Sequence, residues 1–226
     1  MTTLVMLAGL AFGDVLSPGL YVLETRVVTQ SQVPVFGRNR VTTTTRALAR
    51  VQQQPGGQTV QQTTCRVEVE DSSRAETRIP QTFIAALPSI EYRVVSEQHG
   101  FRWVDGVQRV GLNGEPDLLP EDSSDPVVSD TDQDGNPGAT VHLDIPFFGT
   151  VDVYVVQRTR TSLIGQVTDR GALGVVEVQS IEQSTLGSSH PLFRASPRLS
   201  PIDGESSFSL LPVAEGTRCD QLWAPP

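Results

Sequence analysis

Lysine is absent from this 226-residue chain, so all 17 basic side chains are arginines. That removes Schiff-base chemistry, a Walker-type phosphate lysine and every other role that needs a lysine amine. Histidines number three and cysteines two, too few for a zinc cluster or a dense disulfide framework. GxGxxG, HExxH, CxxC and Gly-x-Ser-x-Gly are missing, which leaves the common nucleotide, zinc-protease, redox and serine-hydrolase chemistries without support. No run approaches 18 apolar residues, so a membrane-spanning helix is not expected. Aromatic residues make up 6%, short of the girdles of a transmembrane β-barrel. A net charge of -9 argues against nucleic acid or an anionic membrane surface as partner, because both demand a basic footprint.

Residues 3–12 form an uncharged apolar stretch closed by Gly13 and Asp14. This has the length of a signal-peptide h-region, although no basic residue precedes it. Residues 1–13 are read as a signal peptide and 14–226 as a single β domain exported to the periplasm or cell exterior. The competing reading makes the stretch a core strand of a cytoplasmic protein. Export suits the cysteines: in an oxidising compartment Cys65 and Cys219 pair most simply with each other.

Alternation with period two dominates the rest. Cys65, Val67 and Val69 oppose Arg66, Glu68 and Glu70; Val141, Leu143 and Ile145 oppose His142 and Asp144; Val151, Val153 and Val155 repeat the pattern. Each reads as a half-buried antiparallel strand. Further candidates are Leu20 to Thr29, Arg40 to Gln52, Gln58 to Glu70, Ile90 to Ser96, Phe101 to Arg109, Leu173 to Ile181 and Phe208 to Val213. Pro55-Gly56-Gly57, His99-Gly100, Phe148-Gly149 and Arg170-Gly171 mark turns between them. Eight to ten strands with one apolar face each must close on themselves or stack. The succession of hairpins predicts an all-β fold, an antiparallel up-and-down barrel, with a β-sandwich as second choice. In architecture such a chain resembles a lipocalin or calycin barrel, although Gly19-Leu20-Tyr21 stands where that family has Gly-x-Trp. The resemblance implies an interior able to take a small apolar ligand.

The acidity is local. Between Arg109 and Arg158 there are ten acids and, apart from His142, no basic side chain. The stretch 113–138 reads as an acidic loop insert. Within it, Asp130-Thr131-Asp132-Gln133-Asp134-Gly135-Asn136 resembles the calcium loop of EF-hands and dockerins. Alternate carboxylates in a tight turn converge on one hard cation, and Gly135 permits the bend. The resemblance implies Ca²⁺ held by Asp130, Asp132, Asp134 and the Asn136 carbonyl. Position 12 is Val141 in place of a bidentate glutamate, so Asp144 or water is expected to complete the shell. The plain alternative is a solvated acidic turn.

Three functions follow. The first is an exported, non-enzymatic barrel with a calcium-stabilised loop and a small apolar ligand inside. The second is an envelope or surface protein that engages another protein or a glycan through its loops. The third is a hydrolase using clustered carboxylates. His142 and Asp144 share a strand face, as a base and its orienting acid would, but two residues do not make a site. Arg46 and Arg50 share parity with Arg40 and are expected to face solvent, because a buried arginine must be paired.

Overall fold

The computed structural model describes residues 16–34, 36–73 and 75–222. The signal peptide expected at residues 1–13 lies outside the described residues.

The chain order is β1 (Gly19–Val33), β2 (Gly37–Gln54), β3 (Gly57–Asp71), β4 (Glu76–Arg78), α1 (Gln81–Ala86), β5 (Ile90–Glu97), β6 (Gly100–Val110), β7 (Ala139–Ile145), β8 (Gly149–Thr168), β9 (Gly171–Ser188), β10 (Arg198–Pro201) and β11 (Ser207–Val213). All pairings are antiparallel, and eight strands close into a ring in the order β1-β2-β3-β5-β6-β8-β9-β11. Each ring neighbour is also the next ring strand in sequence. The topology is therefore up-and-down and barrel-like, and the hairpin turns at Pro55-Gly56, His99, Phe148 and Arg170 fall where the turn residues place them. Strands β7, β4 and β10 are added at the margins, β7 on β8, β4 on β7 and β10 on β1.

One end of the ring is filled. Tyr92, Phe101, Trp103 and Phe208 stack with centroids 5.6 to 6.5 Å apart, and Leu23, Leu163 and Leu210 pack around them. Burying a large aromatic removes 150–250 Å² from water, so each contributes roughly 4–6 kcal/mol of gross burial. Gly106 faces the Tyr92 ring so closely that an added Cβ would stand 2.0 Å from it. Further along, the lining changes to half-buried Thr43, Thr45, Val67, Val69, Gln157 and Thr159. A second cluster, around Ile145, Val151, Val153, Phe193 and Phe36, closes the other end.

The alternation is not continuous along β3. Arg46 pairs with Arg66 and Ala47 with Thr64, leaving Cys65 as a bulge. Val60, Gln62 and Thr64 face inward before it and Val67 and Val69 after it, so the phase reverses at the cysteine. Cys65 is bonded to Cys219, with Cα atoms 5.0 Å apart, and the bridge ties the C-terminal tail to β3. The β3–β5 ladder is only four pairs long, Thr59–Gln62 against Ile90–Arg93. Beyond it α1 covers the gap, burying Phe83 against Val110 and Ala139. Pro80 opens this helix and Leu87, held extended before Pro88, ends it.

Candidate metal centre

The acidic insert leaves β6 at Val110 and returns to β7 at Ala139. Its neck is a short ribbon: Asn113 N–H donates to the Val127 carbonyl (2.8 Å), Ser129 N–H to Gly111 (2.9 Å), and Leu112 bridges Val128. Thr131 then ties the last loop down at both ends. Its N–H donates to the Gly138 carbonyl (2.8 Å) and its Oγ1 accepts from Gly111 N–H (3.1 Å).

Inside this loop the carboxylates turn inward because backbone amides draw them there. Asp130 accepts from the N–H groups of Asp134 (3.2 Å) and Gly135 (2.9 Å), and Asp134 Oδ1 accepts from Asn136 N–H (2.8 Å). Gln133 and Gly135 both sit at positive φ, 57° and 86°, which wraps the chain around the group. Oxygens of Asp130, Asp132 and Asp134 come within 4.8 Å of one another. At that spacing each pair of charges opposes the other by about 1 kcal/mol in water and about 3–4 kcal/mol at an effective dielectric of 20. Among the described residues this is the one group of three or more ligating side chains.

Asp132 is the buried member, 9% exposed. Its Oδ2 accepts from Thr140 N–H (3.0 Å), while its Oδ1 is buried with no hydrogen-bond partner. Burial pushes its pKa above the ordinary value, and the charges of Asp134 and Asp130 push the same way. Asp134 moves down instead: burial would raise it, but hydrogen bonds from Thr140 Oγ1 and Asn136 outweigh burial.

The other expected ligands divide. Asn136 is in the loop, with its amide on Asp134. Asp144 is not: it lies four residues past Thr140 on β7, about 13 Å along the strand, where its carboxylate is taken by Arg78 and Thr150 Oγ1. His142 faces Asp152 across the β7–β8 ladder, Nδ1 to Oδ1 2.7 Å, on the solvent side. His190 caps the 3₁₀ turn Pro191–Phe193, accepting from Leu192 N–H, and His99 lies in the β5–β6 turn. The three histidines are thus dispersed.

Two contributors carry no sequence signal. Thr140, the second residue of β7, supplies both a backbone and a side-chain donor to the carboxylates. Arg158 on β8 is 6% exposed and holds the first part of the insert, donating to the Pro116 and Asp117 carbonyls and to Glu182 (2.8 Å). Arg109 and Arg160 both grip Glu115 beside it. Arg46 and Arg50 face outward, paired with Glu24 and Glu215.

No protein-family model, no curated protein and no solved structure matches the chain.

Proposed function

We propose that this is an exported, non-enzymatic β-barrel protein whose acidic insert is fastened by one Ca²⁺ ion. Asp130, Asp132 and Asp134 would supply carboxylate oxygens and Asn136 its carbonyl, with water in the remaining positions. The observation that carries the reading is Asp132 Oδ1, a buried carboxylate oxygen with no donor, in a carboxylate that comes within 4.8 Å of two others. A buried unpaired charge is expensive, and a cation is the group that would offset it. The donor set is all oxygen, which suits a hard ion, and an irregular loop suits calcium better than the rigid octahedron of magnesium. Without a bidentate glutamate the site belongs with weak extracellular modules, with a Kd of about 10⁻⁴–10⁻³ M. The Cys65–Cys219 bridge fits an oxidising, calcium-rich exterior. Titration calorimetry and native mass spectrometry of the oxidised protein test this. One chelator-sensitive Ca²⁺ per chain is expected, and no uptake at about ten times the upper Kd would overturn it.

A second reading, a small ligand within the ring, is favoured by two buried donors on β6 that lack acceptors, Trp103 Nε1 and Gln108 Nε2. Such a ligand would carry an acceptor oxygen and lie beside the half-buried threonines. Protein purified under native conditions and extracted into solvent would release it in stoichiometric amount; an empty extract counts against this reading.

A further inference from the structure

The turn between β7 and β8, Pro146-Phe147-Phe148-Gly149, is exposed at all four positions. Phe147 is fully exposed and held at φ 72°, an unfavourable conformation for a bulky side chain. Phe148 is half exposed and sets its edge against His190 and Phe193, with centroids 5.6 and 5.9 Å away. Phe193 in turn stacks on Phe36 of the β1–β2 turn at 5.7 Å, and Leu192 beside it is 55% exposed. Three segments remote in sequence thus build one apolar tip at this end of the ring, projecting rather than concave.

The charges around the tip run against the rest of the molecule. Elsewhere arginines are mostly paired with carboxylates, from Arg40 with Glu205 to Arg218 with Asp220. Arg38, Arg194 and Arg198 make no ion pair among the described residues, and all three are exposed. Arg194 follows Phe193 directly. Arg38 and Arg198 both pair with Gln32 in the ladders, so they stand on one outer face about 10 Å apart. The nearest acids of the β7–β8 hairpin, Asp144 and Asp152, are occupied by Arg78 and His142. Glu76, opposite Asp144 in the β4–β7 ladder, is an exposed acid that the three arginines outnumber.

We propose that this end of the barrel docks on an anionic lipid surface, with Phe147 and Phe148 entering the interfacial layer and Arg38, Arg194 and Arg198 meeting headgroup phosphates. A protruding aromatic wedge with exposed arginines at the same end matches a surface of diffuse negative charge, which demands no shaped pocket. The acidic net charge does not oppose this, because it is concentrated in the insert, on the outer face of β6, β8 and β9. The inference is independent of the cation site.

The test is sedimentation of the full chain with phosphatidylcholine vesicles, with and without about one-third phosphatidylglycerol, at about 0.1 M salt. A chelator excludes calcium bridging. The wild type is expected to bind the anionic vesicles and to release as salt rises. Phe147→Ser with Phe148→Ser lowers partition at least about tenfold. Arg38→Gln, Arg194→Gln and Arg198→Gln lower it about fivefold each, on the order of 100-fold together. All five side chains are exposed, and unchanged melting confirms that the variants fold. Failure of the wild type to bind, or equal binding by the variants, overturns the proposal. So does a protein partner captured through Phe147 while vesicles are ignored.

Discussion

Replacing Asp132 by Asn separates a cation site from an ordinary acidic turn, because the two readings predict opposite signs under different conditions. In chelator the wild-type carboxylate is a burden: burial and the charges of Asp134 and Asp130 oppose its ionised form. Asn keeps an oxygen to accept from Thr140 N–H and carries no charge, so Asp132→Asn should be at least as stable as wild type. With calcium the order inverts. For a Kd of about 10⁻⁴–10⁻³ M, free Ca²⁺ at about 10 mM stabilises the native state by RT ln(1 + [L]/Kd), about 1.4–2.7 kcal/mol. For a chain of this size that is a rise of roughly 3–10 °C in Tm, absent in the variant. The pH dependence in chelator follows from the raised pKa. The penalty on wild type is fully present above the folded pKa, shrinks as pH falls through it, and is gone below the ordinary value of 3.8, where the two proteins converge. Differential scanning calorimetry in chelator and in calcium measures all of this. A calcium shift that survives in Asp132→Asn, or a variant equally destabilised in both buffers, refutes the reasoning.

Breaking the bridge with Cys65→Ser releases a 154-residue closure and should cost between about 2 and 5 kcal/mol in denaturant unfolding; reductant should produce the same loss in wild type and none in the variant. Gly106→Ala drives a methyl into the ring of buried Tyr92 and should cost about 1–3 kcal/mol, while Gly56→Ala, whose Cβ meets nothing, should change stability by less than about 0.5 kcal/mol. Arg158→Met keeps the packed stem but frees the Pro116 and Asp117 carbonyls. The insert contains no site for trypsin, so a glutamate-specific protease is the probe: cleavage after Glu121 should accelerate at least about tenfold, and an unchanged rate would show that Arg158 does not hold the insert.

What the sequence alone determined was local. Period-two runs of Val and Thr dictate strands because successive side chains must face opposite ways, and turns that end on Gly57, Gly100 and Gly171 dictate hairpins because few other residues take those positive φ angles. An up-and-down ring follows, since strands joined by short turns pair with their neighbours. The convergence of Asp130, Asp132 and Asp134 was legible for the same reason: a tight turn brings alternate side chains of five consecutive residues together. The tertiary structure alone decided everything that depends on segments far apart. It placed the bulge at Cys65, which reverses the facing of β3, and brought Cys219 to it. It buried Asp132 under Thr140, withdrew Asp144 to Arg78, and sank Arg158 beneath the insert. It also gathered Phe36, Phe148 and Phe193 at one tip beside Arg38 and Arg198. Alternation states which way a side chain faces along its own strand; what stands opposite is set only when the ring closes.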